Sequence, residues 1–347
     1  MLKVGTLGTS WITEQFIEAT QLLSDKYQVV GVYSRSAEKA KALADKYQIN
    51  FYCDELNHLL FDPEIHVIYI ATPNAHHYEV AKRAIRAGKH LIVEKPMFAS
   101  LDEWREIHEL AQELGVLVFE AVVHIHNQNY KRLKQLIRYK REQAQQPFLG
   151  ANFSIGQYSS RYPDYVQAMA TGQGAPNVFN LAMAGGTLMD IGVYPLYVII
   201  DLFGIPQQVK YSAITGPNKV DLMGTIILNY ATFQVSLFIS KAVHSLQPSE
   251  LYFDNETIVI EGITRIDRVY LVNQEAQSAK VIDYVPKNPM LAELTHFAEV
   301  LANPQDDAQL ARYREWTDLS WQVAQVMDSL RRSAGLDFEK AREEETR

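Results

Sequence analysis

Two hydrophobic periods alternate along the first 120 residues: short apolar runs of strand type, and longer segments whose apolar residues recur three and four apart. The runs at 3–7, 29–33, 67–71, 90–93 and 116–119 are nearly continuous in apolar residues, as strands covered on both faces must be. Helical segments lie between them. Residues 13–24 put Phe16, Ile17, Thr20 and Leu23 on one side, 37–47 follow a capping Ser36, and 78–87 carry Val80, Ala81, Ala84 and Ile85 on one stripe that stops at Gly88. Repeated βαβ units follow, so residues 1–122 are expected to fold as an α/β domain around a doubly wound parallel sheet.

Beyond residue 147 the strand-like runs lengthen and crowd together, at 148–155, 209–215, 222–230, 233–240, 257–261, 268–272 and 280–285. Asn229-Tyr230-Ala231-Thr232 and Glu261-Gly262-Ile263-Thr264 read as hairpin corners, which points to a mainly antiparallel sheet. Helical periodicity returns at 290–301 and 307–332, and the charged tail 339–347 is expected to fray. Residues 123–347 are thus expected to form an α+β domain with a large open sheet. One uncovered apolar face of such a sheet predicts a homodimer or homotetramer.

The 347 residues are 47% hydrophobic and 21% charged, which suits a globular chain of about two domains. A net charge of -8 offers no basic excess to hold the phosphates of a nucleic acid, and the segment 131–141 reads as one solvated basic helix face. A small-molecule partner is expected instead. Cys53 is the one cysteine, so no internal disulfide is possible, and it reads as a buried apolar residue. The N-terminal segment has no secretory pattern, which predicts a cytoplasmic protein. The run 193–203 is interrupted by Pro195 and Asp201, so no membrane span is expected.

Candidate chemistry begins where the first strand opens into Gly8-Thr9-Ser10-Trp11-Ile12-Thr13 and then a helix. That context lets backbone N–H groups and a helix N-terminus hold a pyrophosphate. The glycine fingerprint is kept only at Gly8, with Ser10 and Thr13 at its other places, so a plain strand-to-helix turn remains open. The second strand ends in Tyr33-Ser34-Arg35-Ser36, without the carboxylate that would bind an adenosine ribose. A hydroxyl beside a guanidinium suits a 2′-phosphate and favours NADP over NAD, with Ser36 as a mere helix cap the alternative. His124 and His126, two apart on an expected strand, share a face, but no HExxH or carboxylate cluster accompanies them and no metal site is expected. No G-x-S-x-G elbow is present.

Ala71-Thr72-Pro73-Asn74, then His77, Ala87-Gly88-Lys89-His90 and Glu94-Lys95-Pro96 form one ordered motif, and Gly185-Gly186-Thr187-Leu188-Met189-Asp190-Ile191-Gly192-Val193-Tyr194-Pro195 forms a second about 90 residues later. Together they resemble the Gfo/Idh/MocA oxidoreductases, named for glucose–fructose oxidoreductase, inositol dehydrogenase and a rhizopine-catabolism protein. The resemblance implies a Rossmann domain binding NADP, or alternatively NAD, through Gly8, Thr9, Ser10, Trp11, Ile12, Ser34 and Arg35. It further implies that Ala71, Thr72, Pro73, Asn74, His77, Glu94 and Lys95 surround that cofactor. Hydride would pass between nicotinamide and a carbinol or carbonyl carbon of a sugar, polyol or dihydrodiol.

By the same resemblance Lys95 takes the place of the catalytic lysine. An ammonium beside an oxidised nicotinamide is disfavoured by like charge and desolvation, which readies it to polarise a substrate hydroxyl or relay its proton. Tyr194 takes the place of the general acid and base, and Asp190, four residues earlier, would orient the substrate. Many relatives have His where Tyr194 stands. Tyrosine there is the pattern of glucose–fructose oxidoreductase and of dihydrodiol and NADP-linked pentose dehydrogenases. Tyr158, Arg161, Asn177 and Asn180 lie in a polar, aromatic stretch suited to hydroxyl recognition. Ile125 and Gln128 stand where the family usually has Arg and Pro. A dinucleotide-binding regulator without turnover is the alternative within the same family.

Overall fold

The first half of the chain runs β1 (Leu2–Leu7), α1 (Trp11–Leu22), β2 (Tyr27–Tyr33), α2 (Ala37–Tyr47), β3 (Phe51–Cys53), α3 (Leu56–Leu60), β4 (Val67–Ile70), α4 (His77–Arg86), β5 (His90–Glu94), α5 (Leu101–Leu114) and β6 (Val118–Ala121) in a computed structural model that describes residues 1–142, 147–273, 275 and 277–346. It continues through α6 (Val123–His126), α7 (Gln128–Glu142), β7 (Phe148–Gly156), α8 (Tyr162–Thr171) and α9 (Val193–Phe203). Then come β8 (Gln208–Thr215), β9 (Asp221–Asn229), β10 (Gln234–Ser240), β11 (Ser249–Phe253), β12 (Glu256–Glu261), β13 (Arg268–Asn273) and β14 (Ser278–Asp283), followed by α10 (Leu291–Ala302), α11 (Asp307–Ser333) and α12 (Phe338–Thr346).

The chain divides into two units, Met1–Val123 with Asn288–Asp318 and His124–Lys287 with Leu319–Arg347. In the first, six parallel strands lie in the order β3-β2-β1-β4-β5-β6, as the alternating periods imply. The order reverses between β1 and β4, the place where doubly wound sheets bind ligands. A single boundary near residue 122 does not describe this unit, because the chain returns to it. Leu294, Phe297 and Leu301 of α10 share a core with Phe16, Tyr69 and Phe119, and Tyr27 donates to the Leu294 carbonyl at 2.8 Å. Burial of so many aromatic and aliphatic side chains, at roughly 1.5–3 kcal/mol each, is what recruits the segment.

In the second unit eight strands lie in the order β14-β13-β12-β11-β7-β10-β9-β8. The pairs are antiparallel except β7 with β10, so the sheet is mixed and mainly antiparallel. Val235, Leu237 and Ile239 are buried on one face of β10, and Ser236 and Phe238 point to the other, half-buried face. α9 is apolar almost all round and buried from Pro195 to Ile200, as an interior helix must be.

Several sequence expectations are corrected. β3, with three residues, is too short to stand out, β11 opens on the polar pair Ser249-Glu250, and α3 and α5 join the expected helices. His124 and His126 lie on the helical turn α6 and not on a strand; the Asn127 side chain accepts from the N–H groups of Asn129 (2.6 Å) and Tyr130 (3.3 Å), starting α7 and ending any extended run. The segment 131–141 is not wholly solvated, since Lys134 pairs with Asp201 at 2.7 Å and Lys140 is buried against Glu256. The charged tail is helical as far as Thr346, and Arg347 lies outside the described residues. The tail forms α12, anchored by buried Phe338 and by Arg342 donating to the Ala182 carbonyl at 3.2 Å. Cys53 is buried, as expected.

Candidate active site

In the first unit the strand register brings the chemistry to one edge. Leu7 pairs with Tyr33 and Ile70, Ile70 with Val93, and Glu94 with Ala121, so Gly8, Ser34, Ala71 and Lys95 all follow directly on carboxyl ends of neighbouring strands. Gly8 holds φ at +109°, and a Cβ there would come 2.5 Å from the Ala71 carbonyl oxygen. Only glycine lets the turn pass so close to β4. Thr9 and Ile12 are half-buried, while Ser10 and Trp11, the latter 69% exposed, lie open at the start of α1. Ser10 makes no side-chain cap, so the first N–H groups of α1 are left to whatever approaches the turn.

Thr13 does not close this turn. Its side chain is fully buried beneath it, with Oγ1 3.5 Å from where a Gly8 Cβ would stand. The hydroxyl oxygens of Thr13 and Thr72 are buried without a hydrogen-bond partner. A tight glycine turn, an uncapped helix start and two orphaned hydroxyls beside the strand ends are features that fit the polar backbone of a dinucleotide. Arg35 is exposed just past β2, and the Ser34 hydroxyl accepts from the Ser36 N–H at 3.3 Å. The Ser36 hydroxyl accepts from the Lys39 N–H and caps α2.

His77 and Glu94 are held inside the unit. His77 Nε2 lies 2.8 Å from the Thr72 carbonyl, and Nδ1 lies 3.1 Å from that of Met97 and 3.3 Å from that of Pro96. The ring thereby ties the loop after β4 to the loop after β5, and burial holds its pKa below the usual histidine range. Glu94 accepts from the Tyr69 hydroxyl at 2.7 Å, and burial raises its pKa above the usual carboxylate range. Lys95, half-buried, precedes a cis peptide to Pro96. Ala71, Thr72, Pro73 and Asn74 are half-buried on the loop between β4 and α4. Lys89 of the same motif donates to the carbonyls of Asp62 and Ile65, both at 2.7 Å, and so braces the far side of the sheet.

In the second unit Asp190 rides a π-helical turn, Leu188–Gly192, that runs straight into α9, where Tyr194 occupies the first turn. π-helical turns are rare and recur at functional sites. This one is clamped by a residue that local sequence did not flag. The fully buried Asp221 accepts through Oδ2 from the Leu188 N–H (2.7 Å) and the Tyr211 hydroxyl (2.8 Å), and its carbonyl accepts from the Thr187 hydroxyl (3.0 Å). Burial pushes the Asp221 carboxyl above its usual range. Gly186, at φ +114°, leaves room for Asp221 Oδ1, which would lie 1.9 Å from a Cβ there. His124 Nε2 meets the Tyr194 carbonyl at 2.9 Å, and since a carbonyl only accepts, Nε2 carries the proton.

Asp190 forms an ion pair with Lys241, the residue just after β10. The sequence held one sign of this: Val235, Leu237 and Ile239 alternate inward, and Lys241 is next in phase. Of the expected substrate residues, Tyr158 is 49% exposed with its ring edge-on to Tyr162, and Arg161 is paired at 3.1 Å with Asp164. Asn177 is exposed on a short 3-10 turn. Asn180 is committed within the unit, donating to Glu345 at 2.7 Å and accepting from the Ala182 N–H at 2.9 Å. Among the described residues no group of three or more His, Cys, Asp or Glu is placed to hold a metal ion, and no helix is long and apolar enough to cross a membrane.

A 3-2-1-4-5-6 parallel sheet with a glycine turn after its first strand defines a dinucleotide-binding protein. Comparison with known proteins narrows the class. Residues 2–122 match the oxidoreductase family with an NAD-binding Rossmann fold. Scyllo-inositol 2-dehydrogenase (NADP(+)) of Bacillus subtilis is 31% identical over 97% of this chain and 98% of its own. Mouse trans-1,2-dihydrobenzene-1,2-diol dehydrogenase is 24% identical with 97% and 98% covered. Among solved structures, levoglucosan dehydrogenase in complex with NADH has the same fold, with a TM-score of 0.78, 19% identity, and 96% and 97% of the chains covered. The chain belongs to the Gfo/Idh/MocA family of NAD(P)-dependent oxidoreductases.

Proposed function

We propose that this protein is an NADP-preferring dehydrogenase of an uncharged polyhydroxylated ring, a polyol, cyclic sugar or dihydrodiol, with Lys95, Asp190 and Tyr194 on the proton side of the reaction. The observation that carries this reading is the π-turn of the second unit, which holds Asp190 in an ion pair and leads directly to Tyr194. Gly8 and the N–H groups of Trp11 and Ile12 would hold the dinucleotide, and Arg35 its 2′-phosphate. When bound, the nicotinamide supplies the hydride acceptor or donor. Lys95 polarises the reacting oxygen, Tyr194 gives or takes its proton, and Asp190 accepts from a substrate hydroxyl and so fixes which carbon faces the cofactor.

The names of two relatives, an NADP-linked inositol dehydrogenase and a dihydrodiol dehydrogenase, support this substrate class. Half-exposed Ile227, Phe238, Tyr252 and Val259 on the outer face of the eight-stranded sheet support pairing of copies through that face. Size-exclusion chromatography with light scattering should return a dimer or tetramer.

Titration of NADPH and NADH against tryptophan fluorescence, followed by a screen of inositols, pentoses and dihydrodiols, tests the reading. NADPH is expected to bind more tightly than NADH, and at least one vicinal diol should reduce the oxidised cofactor. A protein that binds neither nucleotide, or turns over no polyol, overturns it.

A further inference from the structure

We propose that Lys241 is a positioning residue for Asp190: its buried ammonium sets the direction and the charge of that carboxylate, so that Asp190 meets a substrate hydroxyl as an ionised acceptor. The inference rests on the reading of Asp190 as the residue that orients the substrate.

Lys241 follows the inward residues Val235, Leu237 and Ile239 in phase, and Ile239 packs against Gly192 of the π-turn. Its side chain is only 8% exposed, whereas that of Asp190 is 31% exposed. An ammonium withdrawn from water costs several kcal/mol unless a counter-charge stands beside it, and a lysine among aliphatic neighbours would otherwise be a poor choice of residue. The counter-charge is Asp190. The Phe179 ring, 6.0 Å from Nζ, adds a weak cation–π attraction and excludes water from one side.

The root of the side chain is fixed as well. The Lys241 N–H donates to the Leu222 carbonyl and the Lys241 carbonyl accepts from the Ser159 N–H, both at 3.0 Å. The ammonium is therefore carried on anchored backbone and cannot follow Asp190 about; Asp190 must come to it. A carboxylate facing a fixed cation keeps its negative charge and offers lone pairs in a set direction. For a substrate whose several hydroxyls differ only in orientation, that direction decides which one is bound.

The test uses the full-length protein with NADP and the polyol found by the screen. Lys241→Met should lower kcat/KM about 30-fold or more, mostly through kcat, while NADPH affinity stays within about threefold. Lys241→Arg, which keeps the charge, should recover most of that loss. In the Asp190→Asn background Lys241→Met should cost less than about threefold, because its effect passes through Asp190. Melting curves of the wild type and all four variants separate folding from kinetics, and Lys241→Gln takes the place of Lys241→Met should the latter not fold. Turnover by Lys241→Met within about threefold of wild type, or an equal loss in both backgrounds, overturns the inference. Absence of polyol turnover in the wild type overturns the functional reading and this inference with it, and is visible before any variant is made.

Discussion

The two units build their chemistry from different materials. At the carboxyl edge of the parallel sheet the binding groups are backbone, a glycine turn and an uncapped helix start, with few charges in view. On the π-turn of the second unit side chains answer one another, Lys241 with Asp190 and Asp221 with Tyr211, and Asp221 also ties down the Leu188 N–H and the Thr187 hydroxyl. Open backbone donors suit a ligand whose shape is constant, such as a nucleotide. Mutually held side chains suit a ligand that must be told from its stereoisomers, because each held charge fixes a direction.

The most severe test of that contrast is Lys95→Ala. It removes the one charged side chain at the first edge that the reading makes reactive. Loss of kcat/KM of about 1,000-fold is expected, with NADPH affinity within about threefold because backbone does the binding. Stopped-flow turnover and fluorescence titration check the two halves, and a parallel collapse of nucleotide binding would show that side chains hold the cofactor after all.

Asp221→Ala comes next. It strips the Leu188 N–H and the Tyr211 hydroxyl of their buried acceptor, so a loss of about 3 kcal/mol in urea unfolding is expected. The variant should also lose catalytic efficiency at temperatures where it is fully folded. An enzyme merely less stable, with unchanged kinetics, would separate the clamp from the site. Arg35→Ala probes the exposed rim of the first unit, where a single side chain is expected to matter: NADPH affinity should fall about tenfold and NADH affinity should hold, as read by calorimetry. Equal loss for both nucleotides would remove Arg35 from the phosphate site.

The smallest effect concerns Glu293, a buried carboxyl of α10 that lies outside the proposed chemistry. Burial, with Glu94 nearby, raises its pKa well above the ordinary 4.5. The folded state therefore holds this proton more tightly than the unfolded chain. The stability it contributes is complete below the ordinary carboxylate range and is lost as pH rises toward the folded value. Glu293→Gln should gain about 1 kcal/mol over wild type near pH 9, with the gap closing toward pH 5 in thermal melts. A gap that does not change with pH would contradict the buried acid.

Much of the first unit was legible because its information is local: a strand period within each run, a glycine three residues from a helix start, and a motif contained in residues 71–96. The second unit was legible as an antiparallel sheet and, through one motif, as the place of Asp190 and Tyr194, but not in the groups that hold them. Lys241 lies 51 residues from Asp190 and Asp221 lies 33 from Leu188, and no local pattern joins such pairs. α12 escaped for a related reason. Its composition reads as solvated tail, and what orders it is Phe338 buried in the unit and Arg342 reaching back to Ala182. The histidines of α6 misled by their spacing, since alternate residues share a face in a strand, whereas here a capping Asn127 turns the backbone.

The π-turn gives this chain a kind of sensitivity that composition does not reveal. A π-turn is an ordinary helix with one surplus residue held in a widened turn, so excising a single residue between Leu188 and Gly192 would restore normal winding and change the aim of the residues within the turn, Asp190 among them. The ion pair with Lys241 would then be lost with the other letters of the motif still present. Among relatives, length at this one point would divide homologues with a working pair from those that keep its letters and lose its aim.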